Sequence, residues 1–338
     1  MYLLTRVVLR PTSLVCRGCS RSVHSSSSRD QYFSRLLEIG KLESPQPSGY
    51  YPAAQFFLHR VFGYRGVVLF PWTANVYDRD ISRTTESSSG WEEEGLLYSK
   101  VKGLQAQSKP YYQVLIDNKD FPYVRTHPEA ITFLASSKDT SLYSLPGLDY
   151  VAHEDILPYT STGQDSFSHQ LFPQFFVPSG DKQGSLFLPR DVLSAWREKN
   201  HKWLTLSDVH RESTAGVRVS VMPFYMGSKD EDQGTTYWWR YNIRLECLSG
   251  ERLVLRERHW RIYSGTGFLE TVKGRGVIGQ EPVFSSAQPC FQYSSHVSLK
   301  SPSGHMWGTF LLERGDKSSF EVRVPPFTLD SSRDDEQS

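Results

Sequence analysis

Tyr237-Trp238-Trp239-Arg240-Tyr241-Asn242-Ile243-Arg244-Leu245-Glu246 decides the fold of the C-terminal half. Tyr237, Trp239, Tyr241, Ile243 and Leu245 alternate with Trp238, Arg240, Asn242, Arg244 and Glu246. Successive side chains of a strand point to opposite faces, so this period of two predicts one apolar face and one polar face. We read the first set as core and the second as exposed. Outward from this strand, Val217, Val219 and Val221 alternate with Arg218 and Ser220. Further strand-like runs cover 252–263, 268–273, 289–299, 305–313 and 319–328. Seven or eight such runs between Gly, Ser and Asp turns predict a β-sandwich over 207–330. The charged tail 331–338 is expected to be loose.

The N-terminal half reads the same way. Gln55–Val61 predicts a strand, Phe62-Gly63-Tyr64 a turn and Arg65–Phe70 the returning strand. Gly63 and Gly66 supply backbone freedom where the two strands meet. Residues 73–109 break the pattern with Ser87-Ser88-Ser89-Gly90 and Glu92-Glu93-Glu94, which predicts a long exposed loop. Sheet resumes at Tyr111–Asp117 and Tyr150–Leu157, with a short helix expected over 128–135. Residues 161–206 form a connector with one helix over 189–199, whose Val192, Leu193 and Trp196 share a face. The fold class is therefore all-β: a first β-rich domain over 51–160, a connector with one helix, and a sandwich.

Residues 1–29 differ in kind. They hold Arg6, Arg10, Arg17, Arg21 and Arg29, many serines and no acid, with Leu3, Leu4, Val7 and Val8 at helical spacing. That composition predicts a mitochondrial transit peptide, cleaved near 25–30, ahead of a polar lead-in over 30–50. The whole chain carries 38 Lys and Arg against 37 Asp and Glu. Removing the leader takes five Arg and no acid, leaving 33 against 37, a net of −4. A mildly acidic mature chain lacks the basic footprint of a general nucleic-acid binder. Cys16 and Cys19 fall in the leader, so only Cys247 and Cys290 remain, too few for a disulfide framework. A reducing compartment is the simpler inference.

Two resemblances cover most of the chain. Residues 207–330 resemble the ApaG domain, an immunoglobulin or fibronectin III-like sandwich. The carriers are Arg258-His259-Trp260, Gly274-x-Gly276-Val277-x-Gly279-x-x-Pro282, Phe291-x-Tyr293-x-Ser295, Gly304-x-Met306-x-Gly308 and Val324-Pro325-Pro326-Phe327. Residues 51–159 resemble the HspQ/YccV family, which has an SH3-like barrel. The carriers are Phe62-Gly63-Tyr64-Arg65-Gly66-Val67-Val68, Tyr111-Tyr112-x-Val114-Leu115 and Tyr150-Val151-x-x-Glu154. The bacterial domain is shorter, so 73–109 and 118–148 stand as insertions.

The order leader, barrel, helix, ApaG is similar to a vertebrate family of DNA polymerase delta adaptors. The resemblance implies a non-catalytic adaptor in DNA damage tolerance, with a mitochondrial matrix pool and a nuclear pool. Its implied partners are the polymerase delta small subunit, the sliding clamp, translesion polymerases and the ClpX unfoldase with its protease. From the residues themselves, no cofactor and no metal are expected, since the ten histidines are scattered with no pair at HExxH spacing. The bacterial HspQ proteins it resembles are a protease specificity factor first described as binding hemimethylated DNA.

Several motifs have a chemical reading beside a structural one. Gly274-Arg275-Gly276-Val277-Ile278-Gly279 satisfies GxGxxG, but Pro282 and a strand follow it. A dinucleotide site needs a helix there, so glycines shaping a tight crossing is the stronger account. An anion contact at Lys273 and Arg275 remains as its functional reading. Arg256–Arg261 is expected to pair across strands with Arg244 and Glu246 on an exposed face. His259 has no nucleophile motif beside it, and a structural role is favoured. His153-Glu154-Asp155, read as strand residues, converge poorly on one ion. Gln55–Phe62 is a near miss for a clamp-binding peptide, already committed to a strand. Trp238 beside Arg240 has the composition of an interface anchor. The partner-binding candidates are Trp238, Arg240, Lys273, Arg275, Tyr64 and Arg65. Two rivals stay open: direct nucleic-acid binding, and an enzyme acting at the glycine-rich crossing.

Overall fold

The structure, a computed structural model, describes residues 6–8, 38–80, 105–121, 126–127, 147–162, 167–179, 186–232 and 234–331. Two short strands, β1 (Arg6–Val8) and β2 (Glu38–Leu42), pair antiparallel. The first domain continues with β3 (Phe56–His59), β4 (Arg65–Asp78) and β5 (Gln107–Ile116). Then come β6 (Thr126–His127), β7 (Leu148–Ala152) and β8 (Ile156–Ser161). Apart from β6 these form one antiparallel run, β7-β5-β4-β3-β8-β2. Val67, Val68, Leu69 and Phe70 read as a continuous apolar run because both faces of β4 are covered. Val68 packs with Phe57, Tyr64, Tyr112 and Ile156, while Val67 and Leu69 pack with the connector.

The expected loop 73–109 is a correction. β4 runs on to Asp78 and β5 begins at Gln107, pairing as far as Val76 with Gln107. Trp72, Ala74 and Val76 alternate with Thr73 and Asn75, a short period of two hidden beside the charged stretch. The expected helix at 128–135, the 332–338 tail and most of the leader lie outside the described residues.

The connector also differs from the reading. Its elements are α1 (Phe172–Phe175), β9 (Phe176–Pro178), β10 (Phe187–Pro189) and α2 (Asp191–Leu204). Pro189 ends a strand; the second helix starts at Asp191, an acid well placed at the positive end of the peptide dipoles. Leu193 is buried and Trp196 stacks on Phe70, with centroids 6.3 Å apart. Val192, expected on the same face, is 52% exposed. Phe172, Phe175, Phe176 and Leu193 join Phe56, Val67 and Leu69 in one cluster, so the connector is a layer of the first domain.

The sandwich comprises β11 (Asp208–Thr214), β12 (Val217–Glu231), β13 (Gly234–Cys247), β14 (Leu253–Ser264) and β15 (Leu269–Arg275). It is completed by β16 (Val283–Phe284), β17 (Cys290–Leu299), β18 (Ser303–Arg314) and β19 (Ser319–Asp330). One sheet is β11-β12-β13-β17 and the other β15-β14-β18-β19, with β16 on β14. Trp239, Tyr241, Ile243 and Leu245 are buried against Trp260, Phe310 and Phe327 between them, as the alternation predicted. Each such side chain contributes about 1.5–3 kcal/mol by burial.

The two domains share a sheet. The end of β4 pairs in parallel with β11, from Asn75 with Asp208 to Asp78 with Arg211. Trp72, Val76, Tyr111 and Tyr150 then pack on Leu206, Val209, Met222 and Phe224. The outer face of the β11-β12-β13 sheet is thus covered by the first domain.

Candidate functional site

That covered face is where the charged residues of the central strand went. Arg218 and Ser220 on β12 and Arg244 and Glu246 on β13 were expected in solvent; Arg244, Glu246 and Ser220 are instead buried. Cross-strand register sets Arg211, Ser220, Arg244 and Gln292 side by side on four strands. Against this row the first domain presents the β3–β4 turn and a 3-10 turn at His153–Asp155.

Arg244 is the centre. Its guanidinium donates to Gln292 Oε1 at 2.8 Å and to the Tyr150 carbonyl at 3.3 Å. It lies 3.6 Å from both Asp149 and Asp155, and 5.0 Å from the Phe62 ring centroid. Asp149 also accepts from Tyr64 Oη at 2.7 Å, from Gln292 Nε2 at 2.8 Å and from the Tyr150 N–H at 2.8 Å. Burial, reinforced by Asp149, raises the Tyr64 phenol well above its usual value, so it stays a neutral donor. Burial also raises Asp155, although Arg244 beside it pulls the other way. His59 is buried, and its Nδ1 accepts the N–H groups of Val61 and Phe62 at 3.1 and 3.2 Å. Burial first, and Arg244 second, hold that ring well below the ordinary histidine value.

Arg211 is the second node. It donates to Glu154 Oε1 at 3.1 Å and to Tyr111 Oη at 2.5 Å. Burial raises Tyr111 to about 12. Burial works against the Glu154 carboxylate too, yet Arg211 holds it below its usual value. Between the nodes a cleft of about 300 Å³ opens, floored by the sheet and walled by the two turns.

The sequence candidates separate. Tyr64 and Arg65 are core residues and are corrected as surface contacts. Both are buried, and Arg65 forks onto Asp120 with two bonds of 2.8 Å while Asp117 lies 3.5 Å away. Trp238 is half-buried against the Met222–Phe224–Met226 cluster, 5.9 Å from the His296 ring. Arg240 lies over the Phe224 ring at 4.3 Å. Lys273 is exposed on β15, and the exposed Arg275 is bonded to Glu281. These two sit on the far sheet, away from Trp238 and Arg240.

The remaining motifs resolve locally. Arg256 pairs with Glu281 and Glu313, not with Arg244 or Glu246, because β14 belongs to the other sheet. The glycine-rich segment closes a turn: Val277 and Gln280 exchange backbone bonds of 2.8 and 2.9 Å, and β16 follows without a helix. Gly276 has φ +58°, and a Cβ there would stand 2.0 Å from the Gln280 oxygen. His259 is half-buried on β14, between Lys273 and Thr309 on the flanking strands. His153, Glu154 and Asp155 occupy a 3-10 turn, not a strand, and engage Tyr112, Arg211 and Arg244 separately. Among the described residues, no group of three metal-ligating side chains converges. Phe56 and Phe57 of the clamp-like segment are buried in β3. Cys290 faces the first domain at Val61, whereas Cys247 belongs to the sandwich core; neither forms a disulfide among the described residues.

Residues 51–183 match the family described as hemimethylated DNA-binding protein YccV like, and residues 227–314 match the ApaG domain. The chain is 54% identical over 313 residues to polymerase delta-interacting protein 2 of Mus musculus, spanning 91% of this chain and 84% of that protein. The chain belongs to the polymerase delta-interacting protein 2 family. The Homo sapiens member is 53% identical over 313 residues. Protein ApaG of Brucella anthropi is 38% identical over 122 residues, which is 36% of this chain and 93% of that protein. In this family member Arg244 lies within the ApaG match, and its partners Asp149 and Asp155 lie within the YccV-like match. The charged junction is therefore built from residues of both domains.

Proposed function

We propose that this chain is a non-catalytic adaptor for DNA polymerases. The observation that carries the reading is similarity over 91% of its length to proteins named for interaction with polymerase delta. The finer partners are the polymerase delta small subunit, the sliding clamp and translesion polymerases in DNA damage tolerance, and the ClpX unfoldase in mitochondria. The acid-free leader supports a mitochondrial matrix pool beside a nuclear one. The net charge of −4 without that leader speaks against direct nucleic-acid binding. An adaptor works by holding partners together and raising their effective concentration. Two domains joined through one sheet suit that task, because surfaces on each keep a fixed separation.

Affinity capture of the processed chain from mitochondria and from nuclei tests the reading. Retention of the polymerase small subunit that survives nuclease, and loses strength in Trp238→Ala or in Lys273→Glu/Arg275→Glu, is the expected outcome. Retention abolished by nuclease, or salt-dependent retention of bare DNA, replaces it with the nucleic-acid reading. An intact Met1 in the mitochondrial protein removes the transit peptide.

A further inference from the structure

We propose that the cleft between the two domains binds a small molecule with an oxyanion head and a short apolar tail. Four guanidiniums line it, from Arg60, Arg211, Arg218 and Arg244, against the three carboxylates Glu154, Asp155 and Glu246. The pairing among them is uneven. Arg211 holds Glu154 at 3.1 Å, Arg244 is shared with Asp149 and Asp155, and Arg218 reaches Glu246 only at 3.6 Å. Arg60, exposed at the mouth, has no ion pair among the described residues.

Hydrogen-bond donors are in surplus as well. The Nε atoms of Arg211 and Arg218 are buried with no partner among the described residues. Ser220, buried between Arg211 and Arg244 in the cross-strand row, lines the same floor. With Asp149 behind Arg244 the charges balance, but a buried N–H without an acceptor is costly, so a site with spare guanidinium donors and Arg60 unpaired at its mouth favours an oxyanion acceptor. Guanidinium groups suit carboxylate and phosphate oxygens in particular.

The rest of the lining sets the tail. Val61, Met222, Leu248 and Pro289 give the cleft an apolar wall. At about 300 Å³ it stands at the small end of ligand sites. A single head group with a chain of a few carbons fits that volume; a dinucleotide does not.

Calorimetric titration of the full chain with butyl phosphate, hexanoate and inorganic phosphate tests this. Saturable binding of a tailed probe is expected, with inorganic phosphate weaker, and the tailed probe that binds identifies the head. Arg60→Gln and Arg218→Gln, both at the solvent side of the cleft, are each expected to weaken binding about tenfold. Lys229→Gln, exposed at the far end of β12 from Arg218, should leave it unchanged. Absence of saturable heat with every probe overturns the proposal, as does equal binding by wild type, Arg60→Gln and Arg218→Gln. Equal affinity for inorganic phosphate overturns the tail.

Discussion

Arg244→Met tests whether the domain junction is dry. Methionine fills most of the volume and keeps an apolar stem, so the substitution removes charge and hydrogen bonds with little cavity. The lost interactions are the 2.8 Å bond to Gln292, the 3.3 Å bond to the Tyr150 carbonyl and the two carboxylate contacts at 3.6 Å. The two carboxylates are not left equally exposed to the loss. Asp149 keeps its bonds from Tyr64, Gln292 and the Tyr150 N–H. Asp155 loses its nearest cation while largely buried. Removing one partner of a buried pair costs about 3–5 kcal/mol, and we expect that range at pH 7. The cost should also depend on pH. Burial already raises Asp155 above its ordinary value, and without Arg244 it rises further. A carboxyl with a raised folded pKa favours the fold most below its unfolded value, and that contribution is lost as pH rises through the folded value. The deficit of Arg244→Met should therefore be smaller at pH 5 than at pH 7, and Asp155→Asn in the same chain should recover part of it at pH 7. Urea unfolding midpoints at both pH values measure this. A loss below about 1 kcal/mol at pH 7, the worth of a solvated pair, would refute a dry junction and the account of the covered face with it.

Other substitutions probe separate parts of the argument. His59 is held neutral by burial, so its folded pKa lies below the unfolded value of 6.5. As pH falls below about 6.5 the unfolded chain gains a proton that the fold refuses, which costs up to about 1.4 kcal/mol per pH unit. His59→Asn, which keeps an acceptor for the Val61 and Phe62 N–H groups, should flatten stability between pH 6.5 and 5.5; an unchanged slope assigns the loss elsewhere. Gly276→Ala drives a methyl toward the Gln280 oxygen at 2.0 Å, so roughly 3 kcal/mol or more is expected. Gly279→Ala meets nothing within 4 Å and should cost only the left-handed strain of about 1–2 kcal/mol. Equal melting temperatures for the two would contradict the turn. Trp196→Ala removes the stack on Phe70 and the contact with Phe175 at 5.3 Å, worth about 3 kcal/mol or more. Val192→Ala on the exposed side of α2 should stay within about 0.5 kcal/mol; similar losses for both would mean that the helix does not dock as described.

What the sequence made legible was the inner face of each strand. Trp239, Tyr241, Ile243 and Leu245 announce a core by their period alone, because burial against a second sheet needs nothing beyond apolar alternation. The fate of the outer face is a tertiary question. Arg240, Asn242, Arg244 and Glu246 have the composition of a solvated surface, and the first domain, brought alongside by the parallel pairing of β4 with β11, packs over that face. That pairing joins residues far apart in the chain with no motif at either end. Its one local trace is the short alternation at Trp72, Ala74 and Val76, which serine and glutamate runs nearby obscured. Tyr64 and Arg65 failed as surface candidates for the opposite reason. A charged residue after a turn reads as exposed, but Asp117 and Asp120 arrive from the end of β5 to pair it inside.

For the proposed adaptor, the polar junction does more than hold two domains together. An apolar seam between two domains holds them together but tolerates sliding, since burial is not directional. A row of guanidiniums set against carboxylates and amides on the facing turns favours one arrangement, in which Arg211 meets Glu154 and Arg244 meets Asp149 and Asp155. Arg244 reaches Asp149 and Asp155 only when the 3-10 turn and β7 stand opposite β13. The apolar cluster around Phe224 and Tyr150 supplies the attraction, and the charged row selects the register. Under the proposed function, partner surfaces on the two domains would then keep a fixed separation and angle. Loosening the row while leaving the apolar cluster intact should weaken simultaneous capture of two partners more than capture of either alone.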